Sequence, residues 1–190
     1  MEIKNNLSFI KQYITKPRSV GAILPSSNNL ARKMISYINF DKARYIVEYG
    51  PGTGVFTDEM LKKRKEDTLV LLLECNTKFY KQLKQKYSHE PNLLIINDSA
   101  EHLEKYLLAH NIPQVDYIIS GLPFASLPPE VSSNILTQTK KYLSLEGRFI
   151  TFQYTLLKKD FIGAYFDDIK ITKEVRNIPP AYILCCRQDT

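Results

Sequence analysis

The chain has 190 residues, of which 44% are apolar and 24% are charged, and its formal net charge is +6. This composition is ordinary for a soluble globular protein, and the length predicts one domain with a full three-layer core. No apolar run reaches about 18 residues and no secretory-signal pattern opens the chain, so we expect neither a membrane span nor export.

The cysteines and the net charge indicate which cellular compartment and which kind of partner to expect. Cys75, Cys185 and Cys186 have no metal-ligand spacing, and adjacent strand residues point to opposite faces. We therefore expect no metal site and no disulfide framework, which fits a reducing cytoplasm. The positive charge favours an anionic partner, either nucleic acid or an acidic lipid surface, although the lysine clusters are equally typical of a solvated surface.

The N-terminal region is predicted to be an amphipathic helix over residues 2–15, ended by Pro17. Two interpretations stay open: the helix packs on the core or covers a ligand, or it inserts its apolar side into an anionic membrane surface. The next segment, residues 16–27, holds two prolines and one glycine and is interpreted as a lid. Ser26 or Ser27 can cap the following helix, predicted over 28–38.

A glycine-rich turn, Gly50–Gly54, follows the first predicted strand at 44–49 and leads into an amphipathic helix. Strand, glycine turn and helix start together present backbone N–H groups to a cofactor, and glycine leaves the approach open. A second buried strand, 68–74, ends in Glu74, which is placed to bind a ribose diol.

The remainder alternates strands and helices, which predicts a parallel sheet. A helix opening at Pro128-Pro129 and ending at Leu143 and a short one near 156–165 separate the later strands. Asn177–Pro180 is too short for a crossover, so the last two strands are predicted to form a hairpin with an antiparallel last strand. The other predicted strands are 93–97, 115–120, 147–154, 168–175 and 181–187.

Acidic residues stand where several of these strands end. In open α/β sheets the ligand lies beyond the carboxyl ends of the strands, and Glu48, Glu74, Asp98 and Ser120–Phe124 are found there. Asp98 is placed to accept from an adenine amino group, or else it caps the next helix. We favour the ligand role because three acids at successive strand ends form one site.

The pattern Glu48-x-Gly50-x-Gly52-x-Gly54 has Val55 where the dinucleotide pattern needs glycine, and no P-loop lysine follows. It resembles the first motif of class I S-adenosylmethionine-dependent methyltransferases, in which the acid lies near the methionine end of the cofactor. The resemblance covers nearly the whole chain. It implies a Rossmann-like α/β fold, namely a seven-stranded, mostly parallel sheet with an antiparallel C-terminal strand and an N-terminal helical extension (1–27) before the core (28–190).

The same resemblance implies S-adenosylmethionine as the cofactor. The cofactor-binding residues it implies, including two from the lid, are Glu48, Gly50, Pro51, Gly52, Thr53, Gly54, Glu74, Cys75, Asp98, Ser99, Ala100, Ser120, Ser26 and Ser27.

Two methyltransferase families are candidates for this chain, and they differ in sequence in the loop after the fourth strand. The rRNA adenine dimethyltransferases and macrolide-resistance rRNA methylases carry Asn-x-Pro-Tyr/Phe there. Bacterial phospholipid N-methyltransferases, which methylate phosphatidylethanolamine, carry Ser-Gly-Leu-Pro. The chain has Ser120-Gly-Leu-Pro-Phe124 and resembles the second family, also at Val20–Ser27 and Asn177–Ala181.

Gly121 takes the Asn position and has no side chain to hold an adenine amino group, so we interpret it as leaving room for a bulkier amine headgroup. Such an alkylammonium has a pKa of about 10, and freeing its lone pair at pH 7 costs roughly 4 kcal/mol. The candidate catalytic residues are Ser120, Gly121, Leu122, Pro123 and Tyr13, with Gln153 and Tyr154 added as candidates for the headgroup site. Core packing is an equal explanation for both tyrosines, and His89, His102 and His110 are interpreted as surface residues away from the strand ends.

The resemblance therefore implies a cytoplasmic, peripherally membrane-associated enzyme that methylates phosphatidylethanolamine, with the phospholipid and an anionic membrane surface as partners. Methyl transfer is an in-line displacement for which the cofactor supplies the leaving group, so no metal is expected. The alternatives are an rRNA adenine N6-methyltransferase, a small-molecule amine methyltransferase and a non-catalytic cofactor binder.

Overall fold

The computed structural model describes residues 27–188, so the predicted helix over 2–15, Tyr13 and Ser26 lie outside the described residues. The helices are α1 (Asn28–Ile35), α2 (Val55–Leu61), α3 (Thr77–Lys86), α4 (Leu103–Ala109), α5 (Pro129–Tyr142) and α6 (Lys159–Gly163), and a 3-10 turn at Ala100–His102 precedes α4. The strands are β1 (Tyr45–Tyr49), β2 (Leu69–Leu73), β3 (Leu93–Ile96), β4 (Val115–Ser120), β5 (Leu143–Gln153), β6 (Asp168–Glu174) and β7 (Ala181–Arg187).

All seven strands join one sheet in the order β3-β2-β1-β4-β5-β7-β6. The first five are parallel, and β7 pairs antiparallel with both β5 and β6, which confirms the predicted fold class and terminal hairpin. Tyr49 pairs with Ser120, and Ser120 pairs with Thr151, so these parallel strands end level with one another. We call this side of the sheet the carboxyl edge.

Alternating residues of the strands build two apolar cores, one on each face of the sheet. In β1, Ile46 packs with the buried side chains of α1, α2 and α3, whereas Val47 and Tyr49 pack with those of α4, α5 and α6. The result is three layers, helices against both faces of a sheet whose strands are apolar on both sides. This covering leaves the ends of the strands as the place for a site.

Three predicted elements differ from the structure by three residues or more at one end. Strand β5 begins at Leu143 and not at 147, because α5 passes directly into it and Leu143 pairs with Val115 before the register shifts. Helix α1 ends at Ile35, with Ser36 as its C-cap, although Ile38 is still buried. Helix α6 covers only five residues of the predicted 156–165. Within residues 27–188 no helix is long and apolar enough to cross a membrane.

Candidate cofactor and methyl-transfer site

The glycine turn adopts a backbone that favours glycine at three positions. Gly50, Gly52 and Gly54 have φ values of 61°, 57° and 85°, a region that residues with a Cβ rarely adopt. A Cβ on Gly54 would lie 2.4 Å from the hydroxyl of Tyr87, whereas one on Gly52 would have no heavy atom within 4 Å. Gly52 is therefore the position where a ligand can approach the backbone closely.

Glu74 lies directly against this turn. Its Oε2 accepts a hydrogen bond from the Gly52 N–H at 2.9 Å, and its Oε1 accepts one from the Asn76 N–H at 2.8 Å. Burial raises the pKa of Glu74, and the two backbone donors oppose that rise. Each carboxylate oxygen keeps a further lone pair, so the predicted hydrogen bonds to a ribose diol are compatible with this geometry.

Glu48 is fully buried in β1 and faces α2. Its Oε2 accepts from the Thr57 hydroxyl at 2.6 Å, while Oε1 has no hydrogen-bond partner. Desolvation raises the pKa of Glu48 to about 8, with the Thr57 hydrogen bond opposing it. A buried carboxyl oxygen without a partner is costly unless a ligand or water supplies one.

Asp98 follows β3 at the carboxyl edge and is already engaged by its own neighbourhood. Its carboxylate accepts from the Ser99 N–H at 2.8 Å and from the Tyr106 hydroxyl at 2.5 Å, and it lies 2.9 Å from Nδ1 of His102. Partial burial acts to raise the pKa of Asp98, but the hydrogen bonds from Tyr106 and His102 hold it below its ordinary value. The interpretation of His102 as remote from the strand ends is wrong, although its ring is exposed.

The loop after β4 packs its backbone on the glycine turn. A Cβ on Gly121 would lie 2.8 Å from the Gly50 carbonyl oxygen, and the Gly121 N–H donates to the Tyr49 carbonyl at 2.9 Å. The interpretation that Gly121 leaves room for a headgroup is therefore wrong, because the space beside it is filled by backbone. Phe124 in the same loop is fully buried, and its ring packs edge-on against Phe149.

Gln153, at the end of β5, holds this loop from the other side. Its Oε1 accepts from the Ala125 N–H at 3.3 Å, and its Nε2 donates to the Leu122 carbonyl at 3.4 Å. Tyr154 packs edge-on against Phe152 with ring centroids 5.6 Å apart. The described members of the predicted headgroup site thus gather at the carboxyl edge, and their role in binding stays a prediction.

The remaining predicted residues are distributed around the same edge. Ser27 caps α1 by accepting from the Leu30 N–H at 3.2 Å, and its own N–H donates to Asn177 at 3.2 Å. Ser99 caps the 3-10 turn that begins at Ala100. Burial raises the pKa of Cys75 to about 12, so its thiol stays protonated. Pro51 is buried and Thr53 is exposed in the glycine turn.

Sequence reasoning missed several partners of the site residues. Thr57 is the third residue of α2 and Asn76 is the N-cap of α3, so both look like ordinary helix-start residues. Tyr106 reaches Asp98 from eight positions further along the chain, on α4. Only the i, i+4 spacing of Asp98 and His102 could have been noticed in the sequence.

These features fit S-adenosylmethionine, the cofactor that the sequence resemblance implies. Open space over Gly52 would admit the cofactor to the backbone, and the partnerless Oε1 of Glu48 offers a buried acceptor. Glu74 lies within hydrogen-bond distance of the glycine turn. The residues that would hold the cofactor are therefore the glycine turn, Glu48, Glu74 and Asp98.

Comparisons with known proteins find methyltransferases. A family model described as ribosomal RNA adenine dimethylase matches residues 4–168. The chain is 28% identical to an ornithine lipid N-methyltransferase of Singulisphaera acidiphila over 187 residues, covering 97% of both proteins. It is 29% identical to ribosomal RNA small subunit methyltransferase A of Ureaplasma urealyticum over 167 residues, but spans only 55% of that protein.

Among solved structures, an rRNA methylase from Streptococcus thermophilus superposes with a TM-score of 0.64. The alignment covers 84% of this chain and 95% of the other at 16% identity, so it supports the fold alone.

Proposed function

The chain belongs to the ribosomal RNA adenine dimethylase family of S-adenosylmethionine-dependent methyltransferases, and we propose that it methylates the primary amine of a membrane lipid. The lipid is phosphatidylethanolamine or an ornithine lipid, both of which present a primary alkylammonium group at the membrane surface. When bound, S-adenosylmethionine supplies an activated methyl group and its own leaving group.

The observation that carries this proposal is the loop after β4. A base-modifying enzyme extrudes its target base and reads it by hydrogen bonds and stacking on aromatic side chains. Gly121 has no side chain to donate or accept, and Phe124 is fully buried against Phe149. This loop therefore offers an adenine neither a side-chain amide nor an exposed aromatic ring.

The extent of the similarity to a lipid enzyme supports the same choice. The chain covers 97% of the ornithine lipid N-methyltransferase it resembles but 55% of the small subunit rRNA methyltransferase. The similarity to a lipid-methylating enzyme therefore extends over nearly the whole of both proteins.

The protein's own task with a lipid amine is to orient it and lower its proton affinity. A primary ammonium loses its nucleophilic lone pair to a proton, and deprotonation at pH 7 costs roughly 4 kcal/mol. The Leu122 carbonyl accepts from the Phe124 N–H at 3.1 Å and from Gln153 Nε2 at 3.4 Å, and the Ser120 carbonyl accepts from the Thr151 hydroxyl at 3.4 Å. These contacts fix the shape of the loop beside which the amine would be oriented.

Adenine in rRNA is the second candidate, because the family model and several relatives are rRNA methyltransferases. The net charge of +6 also suits an RNA backbone. Methylation assays that offer each substrate in a separate, parallel reaction decide between the two candidates.

The test measures transfer of a radiolabelled methyl group from S-adenosylmethionine to acceptors that are offered in parallel reactions. One contains phosphatidylethanolamine vesicles, one ornithine lipid vesicles, one total RNA and one phosphatidylcholine vesicles, which lack an acceptor amine. We expect label in the lipid extract of one or both amine lipids and none with phosphatidylcholine. Label confined to RNA would overturn the proposal, and a Glu74→Ala variant serves as the control for cofactor-dependent label.

A further inference from the structure

Large apolar side chains are exposed in two loops of the described chain. Leu156 and Leu157 lie between β5 and α6, and Leu157 is 86% exposed. Val175 and Ile178 lie in the turn between β6 and β7, and they are 65% and 80% exposed. A cluster of such side chains on a protein surface usually marks a binding surface.

Strand register places both loops at the carboxyl edge. Gln153 pairs with Tyr182 at the start of β7, and Glu174 at the end of β6 pairs with Ala181. The segments that follow Gln153 and Glu174 therefore leave the sheet on the same side, flanking the first residues of β7. This is also the side on which β4 ends at Ser120, next to the candidate site.

Basic residues accompany the apolar ones. Lys158 and Lys159 directly follow Leu157, and Arg176 lies between Val175 and Ile178. Buried Glu174 accepts from the Arg176 N–H at 2.8 Å and from its guanidinium Nε at 3.3 Å, while the Arg176 side chain stays 70% exposed. Residues 155–159 hold two lysines and no acid, and Asp160 follows them as the second residue of α6.

We propose that these two loops, residues 155–159 and 175–178, form a docking surface for an anionic lipid bilayer. The inference rests on the proposed function, since it names the surface from which the lipid substrate would enter. Leucine, valine and isoleucine enter the acyl boundary, while lysine and arginine remain at the level of the anionic headgroups. The carboxyl edge then faces the bilayer, and a headgroup reaches the loop after β4 without leaving the membrane.

Exposed leucines elsewhere provide a matched control. Leu108 is 66% exposed near the end of α4, and Leu145 is 59% exposed near the start of β5. Because α4 leads into β4 and β5 runs parallel to it, both leucines lie toward the opposite edge of the sheet. They match the docking surface in residue type but not in position.

The test compares Leu157→Asp/Ile178→Asp with Leu108→Asp/Leu145→Asp in the full chain. Binding is measured by sedimentation with vesicles of phosphatidylglycerol and phosphatidylcholine, which contain no acceptor amine. We expect the first double variant to lose vesicle affinity by about tenfold or more and the second to bind as the parent does. Lys158→Gln/Lys159→Gln should weaken binding to these vesicles but not to pure phosphatidylcholine.

Folding is checked by calorimetric affinity for S-adenosylmethionine, which should be unchanged in every variant. Unaltered vesicle binding by Leu157→Asp/Ile178→Asp would overturn the docking surface. So would the finding that the substitutions only convert a dimer of the parent into a monomer, because the two loops would then contact a second copy of the chain. Loss of vesicle binding in Leu157→Asp/Ile178→Asp supports the docking surface even if no lipid is methylated in the parallel methylation reactions. Failure of the proposed function and failure of this inference are thus read from separate assays.

Discussion

The carbonyl oxygen of Gly50 lies 2.8 Å from the point where a Cβ on residue 121 would stand. Two loops from neighbouring strands therefore meet backbone to backbone, and the Gly121 N–H adds a hydrogen bond to Tyr49. A side chain added at residue 121 must displace the glycine turn. The loop after β4, beside which we propose that the substrate binds, is thus in direct backbone contact with the glycine turn of the cofactor site.

Gly121→Asn, which creates the motif of the rRNA enzymes, should damage the site and not convert it. The added side chain meets backbone, so we expect a loss of roughly 1–3 kcal/mol in the free energy of unfolding. Displacement of the turn should weaken S-adenosylmethionine binding about tenfold, measured by calorimetry. Gly163→Ala, where the nearest atom is the flexible end of Ile169 at 3.3 Å, is the control. Unchanged cofactor affinity together with new adenine methylation would contradict this prediction.

Glu48 should make the stability of the cofactor-free protein depend on pH. Its pKa is about 8 in the folded chain against an ordinary 4.5, so the folded state favours the protonated form. The stabilisation that protonated Glu48 gives the folded state is complete below about pH 4.5. It is lost as the pH rises from there toward 8, because over this range Glu48 ionises only in the unfolded chain. The free energy of unfolding should fall by up to about 1.4 kcal/mol per pH unit over this range.

Glu48→Gln removes that ionisation and should flatten the profile between about pH 5 and 8. Denaturant unfolding at several pH values measures it, with the exposed Glu130→Gln as a control that keeps the parent's slope. An equally steep profile in Glu48→Gln would show that Glu48 is already ionised in the folded chain.

Asp98→Ala should weaken S-adenosylmethionine binding by about tenfold or more, as expected for a lost hydrogen bond to a charged group. Tyr106→Phe is the matched control, because it removes one donor to Asp98 but keeps the carboxylate. Calorimetry on both variants separates ligand binding from local capping. Equal affinities in the parent and Asp98→Ala would leave Asp98 with a capping role only.

The sheet was predictable because hydrophobic runs and glycine turns repeat along the chain with the lengths of strands and connections. Leu143 was assigned to a helix end because no turn residue separates α5 from β5. The site was predictable at Glu48, the glycines and Glu74, where strand ends and turn chemistry coincide. Contacts that depend on distant elements, such as Tyr106 with Asp98 or Gln153 with Ala125, have no signal in local sequence.

Gln153 is a positioning residue in this arrangement, because its side-chain amide bonds both sides of the Leu122–Ala125 turn. Gln153→Met keeps its approximate length but removes both hydrogen bonds. We expect methyl transfer to fall by about tenfold or more, while affinity for S-adenosylmethionine stays within about twofold, since the glycine turn is untouched. The fall should appear in kcat, because a misplaced loop presents the amine poorly after binding.

Gln153→Glu separates the two hydrogen bonds. It keeps the acceptor for the Ala125 N–H but replaces the donor to the Leu122 carbonyl with a second oxygen. It should therefore retain less activity than the parent, and the repulsion between carboxylate and carbonyl should be relieved at low pH. Parent-like kcat in Gln153→Met would mean that the loop keeps its shape through the Gly121–Tyr49 hydrogen bond alone.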